Sequence, residues 1–459
     1  MLYPLVQEIV WQDPIKLFAI FAAEEGALLL DSAQLRKGCG RNSFIAVAPY
    51  MLVQSKNGEL QVDGRLVADN NPFDFLAKHL ARFSLDTISA LPPFQGGVAG
   101  YFGYGLYQHL EQLKIDNHDQ VKFPDLVLGF YDLVIGFDHD VKRAWIFSSG
   151  YPETIQQSAH AKARLAWLLT RIENVPELSL IPVLPHQIVS NFSATTYQAA
   201  VSKVIDYILA GDIFEANLSQ CFSTRLHPDL QPFDLYRRLR ELNPAPFAAY
   251  FHVADVMIAS ASPERYLQLR DNKVEARPIK GTRARSADAV LDQQFAQELL
   301  HSEKDRAENI MIVDLLRNDL SRVCLDHSVK VLQLCALESY TSVHHLVSVI
   351  VGELAENIHA IDLLRATFPG GSITGAPKIR AMEIINEIEP TQRGPYCGSI
   401  GYIGFNGDMD SSITIRTFAI KGDQVTFQAG GAIVADSDPA LEYQETLTKA
   451  KSLIQALTE

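Results

Sequence analysis

An α+β fold is predicted by three observations: strand-like and helix-like runs alternate irregularly, several strand pairs lie close enough along the chain to form hairpins, and no regular strand–helix–strand repeat of a parallel sheet appears. In chain order, LVLGFYDLVIGFDHD (126–140) and KRAWIFSSG (142–150) read as neighbouring strands joined by an acidic turn, and HAKARLAWLLTRI (160–172) has helical spacing. The stretch 173–193 carries Pro176, Pro182 and Pro185 without sustained periodicity, so it reads as a surface connection. It separates an N-terminal region, 1–185, from a longer C-terminal region, 186–459. Beyond it, TTYQAAVSKVIDYILAGD predicts an amphipathic helix stopped by Gly211. FAAYFHV, VMIAS, SSITIRTFAI and VTFQAGGAIV read as strands, and SEKDRAENIMIVDLLRNDL and the stretch from Pro439 to Leu457 as helices.

The 459 residues suffice for one large or two ordinary domains, and 47% hydrophobic residues support a substantial core. A net charge of -14 repels nucleic acid and anionic membrane, so neither is an expected partner, and an anionic ligand needs locally placed cations. The start MLYPLVQEIVW lacks a basic-then-apolar leader and no run of about 18 apolar residues occurs, which points to a cytoplasmic protein. Cys39, Cys221, Cys324, Cys335 and Cys397 form no C-x-x-C pair, as suits packing cysteines in a reducing compartment. Cys397, in PYCGS, lacks the leading glycine of a nucleophile elbow, so no nucleophilic thiol is evident.

RPIKGT sets Lys280 between a proline-stiffened segment and Gly281, so the amine projects from a rigid strand end, as a surface charge or as a positioned reagent. Glu264, in SPERY, precedes it by 16 positions, and an acid and an amine at adjacent strand ends could share a pocket. Glu442, Glu445 and Lys449 follow spacings of three and four and share one helix face, as do Asp305 and Glu308 on another helix. Two such carboxylate pairs can close on a hard cation such as Mg²⁺, or can be solvated faces with a Glu445–Lys449 ion pair.

PGGSITGAPK resembles a phosphate loop but lacks the G-K-[ST] ending, leaving either a backbone N–H site for a carboxylate, with a helix beginning near Ile379, or a simple turn. Gly430 and Gly431 interrupt a strand, marking close approach to the backbone or a bulge. His345 alone reads more readily as a satisfied histidine than as a functional one. Arg416 is either an inward cation for an anion or a paired structural arginine.

Nine stretches in one order, GDIFEANLSQ, SPERYL, RPIKGTR, KDRAENIMIVDLLRNDL, HHLVS, PGGSITGAPKIRAME, GYIGFNGDMD, IRTF and GGAIVADSDPALEYQETLTKA, together resemble the chorismate-utilising enzymes. LLLDS (28–32) and FQGGVAGYFGY (94–104) match the family's amino-terminal region more loosely. The resemblance implies two large antiparallel sheets packed face to face with helices outside, both halves of the chain interleaving. It implies a Mg²⁺ site with Glu308 and Glu445 as nearest ligands and Asp305 and Glu442 supporting. It implies that Thr282, Tyr402, Arg416, Gly430, Gly431 and Lys449 hold the substrate, with His345 near its ring. LLLDS and NPAPF belong in the family to a pocket that can hold tryptophan, here Ser32, Asn243 and Pro244.

Most of the family carries alanine where Lys280 stands; the aminodeoxychorismate branch carries lysine. Lysine there can add to ring carbon C2 of chorismate as the C4 hydroxyl departs on a proton from Glu264, after which ammonia attacks C4. The resemblance therefore implies amination of chorismate to 4-amino-4-deoxychorismate for folate and 4-aminobenzoate synthesis. The ammonia would come from a separate glutamine amidotransferase subunit, component II of a heterodimer. Lys280 disfavours the anthranilate-forming branch, and the full set of acid, lysine and carboxylates disfavours an idle regulatory subunit that only binds chorismate or tryptophan. Glu215 departs from the glutamine usual in ammonia-using relatives; it could hold ammonium, or pair with Lys280 and keep it charged.

Overall fold

The computed structural model describes residues 3–35, 38–184, 186–340 and 343–459, so Pro185 lies outside the described residues. The α+β prediction corresponds to two antiparallel sheets, each of twelve strands among the described residues. In the first, Ala27–Asp31 pairs with Phe247–Val253, Leu29 facing Tyr250; in the second, Gly97–Phe102 pairs with Ser399–Gly404, Gly100 facing Gly401. Both sheets thus draw strands from either side of residue 185 and are stitched by backbone hydrogen bonds at these two seams.

The sheets close on a shared apolar layer of Leu28, Phe44, Phe251 and Ile258 from one and Ala99, Tyr101, Val127 and Ile400 from the other. On the far side of the second sheet, helices Pro72–Leu80, Glu303–Ser321 and Ala360–Thr367 bury Phe73, Leu76, Ile312, Leu316, Leu363 and Leu364. On the far side of the first, helices Gln157–Arg171, Pro232–Leu242 and Pro439–Thr458 bury Leu168, Tyr236, Leu239, Leu453 and Leu457. Strands that are buried on both faces explain why many of these runs are continuously apolar instead of alternating.

Helix boundaries follow the chemistry of their ends. Ser193 and Thr196 form a reciprocal cap at the start of Ala194–Leu209, and Gly211, at φ +83°, turns the chain away after it. Asp438 caps the final helix and Pro439 occupies its first turn. From 175 to 188, among the described residues, the chain forms neither helix nor strand, before the short edge strand Val189–Ser190.

Two predicted strands are divided. The run 126–140 splits at Asp132, with Leu126–Tyr131 in the second sheet and Leu133–Asp138 in the first. SSITIRTFAI likewise breaks into Met409–Ile413 in the second sheet and Thr417–Lys421 in the first, with Arg416 at φ +54° in the crossing. An apolar run that changes sheets looks in sequence like one strand, because both halves are buried. Cys324, Cys335 and Cys397 are buried as expected of packing residues, whereas Cys39 and Cys221 are partly exposed. Among the described residues no helix is long and apolar enough to cross a membrane.

Candidate functional site

Chain crossings between the sheets, together with two helices, gather most of the predicted site. Glu264 lies between Val256–Ser262 of the first sheet and Arg265–Arg270 of the second, and Arg416 lies in the crossing described above. Lys280 is the second residue of Ile279–Ala284, an edge strand whose register slips between Lys280 and Thr282. Gly281, at φ +77°, makes the slip, and a Cβ there would stand 2.9 Å from the Asp305 side chain. Helix Glu303–Ser321 therefore packs directly on the backbone beside Lys280.

Lys280 is 9% exposed, and its Nζ donates to Glu215 Oε1 at 3.0 Å. Burial opposes its charge, but Glu215, Glu308 and Glu264 outweigh burial and hold the amine above its usual pKa. Of the two sequence-derived roles for Glu215, pairing with Lys280 is therefore present. Glu264 is buried, and desolvation pushes its carboxyl up to about 7 against a hydrogen bond from Ser372, the charge of Lys280 and the Ile279 N–H. An acid near 7 can hold a proton at neutral pH and release it during a reaction.

The carboxylates expected to bind metal stand on helices Glu303–Ser321 and Pro439–Thr458. Burial pushes Glu308 up to about 7, with Lys280 the largest opposing influence. Glu442 accepts from Ser437 Oγ at 2.7 Å and pairs with Lys304 at 3.4 Å. Glu445, whose side chain is about half exposed at 47%, pairs with Lys449 at 2.5 Å; partial desolvation raises its pKa, but Lys449, Lys304 and Lys280 bring it below the usual value. Asp305 is held by Arg283 at 3.0 Å. Among the described residues, no three potential ligands are already drawn together as a metal cluster. The donors nevertheless fit a hard cation: all are carboxylate oxygens, and Gly431 leaves open the space where its Cβ would meet Glu445 Oε1 at 3.2 Å and Glu442 Oε2 at 3.3 Å.

Gly430 and Gly431 lie within the continuous strand Gln424–Ile433, so of the two predicted readings close approach applies and a bulge does not. A Cβ on Gly430 would stand 2.4 Å from the Leu218 carbonyl oxygen, and Lys449 Nζ donates to the Gly430 carbonyl at 2.9 Å. Thr282 Oγ1 and His345 Nδ1 are 2.8 Å apart on paired strands. Arg416 is partly buried, and desolvation lowers its pKa while Tyr396 and Glu445 support its charge. The PGGSITGAPK segment forms a short 3₁₀ turn at Gly371–Ile373, then a helix from Lys378, one residue before the predicted start.

Tyr402 is placed elsewhere. It stacks on Phe94 at 4.5 Å and lines a cavity of about 500 Å³ between the sheets together with Ser32, Phe44, Phe247, Arg265 and Asp410. Asn243 and Pro244 are not among the residues lining that cavity, where Pro246 and Phe247 stand instead. Asn243 Nδ2 donates to the Ala261 carbonyl at 3.4 Å.

Sequence reasoning passed over four contributors. Ser372 lay inside a quoted loop but has no periodic signal. Lys304 stands next to Asp305 and reads as an ordinary helix-surface cation. Tyr396 precedes Cys397 and carries no spacing signal of its own. Arg393, 3% exposed, joins Glu389 at 2.7 Å and donates to the carbonyls of Ile373 at 2.9 Å and Asn217 at 2.6 Å, bracing the Ser372 turn against the Glu215 strand.

Residues 27–455 match the model of a family described as chorismate binding enzyme. The chain is 38% identical over the full length of both proteins to an aminodeoxychorismate synthase component 1 from Klebsiella aerogenes. It is also 39% identical to an anthranilate synthase component 1 from Thermus thermophilus, over 94% of this chain and 92% of that one. The crystal structure of anthranilate synthase component I from Streptococcus pneumoniae superposes with a TM-score of 0.80 at 34% identity, covering 90% of this chain and 92% of that one.

Proposed function

The chain belongs to the chorismate-binding enzyme family, and from that premise we propose that it is the chorismate-aminating component of an aminodeoxychorismate synthase. The observation that carries this reading is Lys280, a buried lysine within the influence of Glu215, Glu264 and Glu308. A lysine that was only a surface cation would not be enclosed by three carboxylates.

Arg416, Lys449 and the backbone at Gly430 and Gly431 bind the substrate's carboxylates and enolpyruvyl group, and Thr282 and His345 flank the ring. Glu308, Glu445, Glu442 and Asp305 are the residues that would hold Mg²⁺, on which the family generally depends. When bound, Mg²⁺ would offset the charge of the substrate's ring carboxylate and favour the neutral form of nearby amines. Lys280, having released its proton to solvent, forms a bond to C2 as the ring double bonds shift toward C4 and the C4–O bond breaks, and Glu264 supplies the proton with which the hydroxyl departs as water. Ammonia then bonds to C4 as the C2–Lys280 bond breaks, and the surplus proton on the new amine returns to Glu264. A separate glutaminase, the component II implied by the relatives' naming, supplies the ammonia. The cavity lined by Ser32, Phe44, Phe247, Arg265 and Tyr402 suits tryptophan in size and in its mix of aromatic and charged walls.

Relatives named anthranilate synthase at comparable identity favour a second reading, in which an amine enters at C2 and anthranilate results. Product mass analysis separates the two. Chorismate, Mg²⁺ and ammonium should yield 4-amino-4-deoxychorismate; fluorescent anthranilate as the main product would overturn the first reading.

A further inference from the structure

Helix Glu303–Ser321 carries Asp305 and Glu308, yet little apolar packing holds the turns that bear them. Its buried apolar stripe consists of Ile312, Val313, Leu316 and Leu320 at helical spacing. Continued toward the start of the helix, the stripe falls on Asn309, which is fully buried and is the one buried residue between Glu303 and Met311. An apolar side chain would suit that position, whereas an amide there needs partners at both of its ends.

Both partners are present. Asn309 Nδ2 donates to the Leu346 carbonyl at 3.3 Å, and Asn309 Oδ1 accepts from the Ser348 hydroxyl. A carbonyl only accepts, which fixes the amide nitrogen toward Leu346. Ser348, also fully buried, accepts from the Cys335 N–H at 2.9 Å, so the amide belongs to a satisfied chain of hydrogen bonds. The two partners lie at a particular place in the second sheet. Leu346 stands opposite Lys280 in the register of strands Ile279–Ala284 and Val343–Glu353, and the Ser348 N–H donates to the Pro278 carbonyl at 3.3 Å. Asn309 thus fastens the helix to the strand residues that hold Pro278 and Lys280. The ion pair of Arg283 with Asp305 reaches the same turns from a side chain 36% exposed, and constrains them less.

We propose that Asn309 is a positioning residue that fixes the turn bearing Glu308 against the strand bearing Lys280, an inference that rests on the reading of Glu308 as a Mg²⁺ ligand. Glu308 immediately precedes Asn309, so a displaced amide carries the carboxylate with it. Mg²⁺ demands near-octahedral geometry, and a ligand free to wander binds it less well.

The test pairs calorimetric titration with magnesium chloride and amide hydrogen exchange read by peptide mass. Asn309→Leu keeps the side-chain size and removes both hydrogen bonds. Leu316→Ala loosens the same helix by a cavity and leaves the amide in place. Asn309→Leu should weaken Mg²⁺ binding about tenfold or more, the scale of a lost outer partner of a metal ligand, and should speed exchange in peptide 303–310 by about tenfold with 312–321 near wild type. Leu316→Ala should keep the Mg²⁺ affinity within about twofold, as for a site independent of the metal. Equal weakening by Leu316→Ala would reduce the effect to helix stability and overturn the proposal. So would wild-type exchange of 303–310 in Asn309→Leu, or faster exchange there with Mg²⁺ affinity unchanged. The metal reading fails separately, if wild type binds no Mg²⁺ or Glu308→Gln binds it equally well. Exchange then decides alone: a rise confined to 303–310 supports Asn309 as the anchor of the turn facing Lys280, and no rise overturns it. Ser348→Ala, which removes only the hydroxyl, should show the same changes at about threefold, and it replaces Asn309→Leu if that variant does not fold.

Discussion

Glu215 gives one carboxylate oxygen to Lys280 at 3.0 Å and keeps the other buried without a partner. The pair fixes the resting state of the lysine as an ammonium, although covalent catalysis needs the free amine. Removing the partner's charge should leave burial, which lowers the pKa, less opposed. In Glu215→Gln the pH midpoint for chemical modification of Lys280, followed by peptide mass, should therefore fall by about one unit or more. A midpoint unchanged from wild type would mean that Glu308 and Glu264 alone set the lysine.

The acid role of Glu264 makes a pH prediction of definite sign. Its carboxyl titrates at about 7, so kcat/KM for chorismate at constant free-ammonia concentration should fall as pH rises through about 7, where the proton is lost. Ser372 holds that value down, so Ser372→Ala should move the limb to higher pH, and Glu264→Gln should abolish turnover. A limb at the same pH in Ser372→Ala would detach Ser372 from the acid.

Metal-site substitutions should separate activity from stability. Glu308→Gln and Glu445→Gln should each remove Mg²⁺-dependent turnover. For Glu308 the folded carboxyl titrates at about 7, above its ordinary 4.5, so the folded state binds the extra proton and stability falls as pH rises from 4.5 through 7. Metal-free Glu308→Gln, uncharged at every pH, should then melt at or above the wild-type temperature at pH 8. Loss of turnover with a lower melting point there would indicate a structural role instead.

Gly281 ties backbone to site. An alanine at φ +77° costs about 1–2 kcal/mol of backbone strain, and its Cβ would press within 2.9 Å of Asp305 and Leu299. Gly281→Ala should lower the denaturation midpoint and displace helix Glu303–Ser321, reducing turnover far more than stability alone predicts. Wild-type turnover would show that the contact between Gly281 and Asp305 is dispensable.

Arg393 braces three segments from within. Arg393→Met leaves the buried Glu389 carboxylate without its counterion, held only by the Ser219 N–H and hydroxyl, at a cost of about 3–5 kcal/mol on the scale of broken buried pairs. Urea unfolding should report a loss of that size, and a change below about 1 kcal/mol would mean that the pair is compensated from elsewhere.

Much of this was legible in the sequence, because the strongest signals are local. Helical spacing placed Glu442, Glu445 and Lys449 on one face, and the rigid frame of RPIKGT marked Lys280 before any partner was known. Gly430 and Gly431 were readable as close approach or bulge, and only the strand register chose between them. What was not legible depends on which sheet a strand joins. Tyr402 follows a glycine in a quoted motif, yet its strand, Ser399–Gly404, directs it into the cavity with Phe94 and not toward Lys280. The same blindness joined Met409–Ile413 to Thr417–Lys421, since two buried half-strands in different sheets carry one apolar pattern. Arg393 and Ser372 gain their importance from contacts with residues distant in sequence, and no spacing records those.

The central claim is that Lys280 bonds to the substrate, and peptide mass spectrometry tests it most directly. Protein incubated with chorismate and Mg²⁺ without ammonia, then quenched and digested, should carry the mass of chorismate less water on the peptide containing Lys280. The adduct should disappear when ammonium is added before quenching. An unmodified Lys280 peptide, with Lys280→Ala still making 4-amino product at the wild-type rate, would contradict the account.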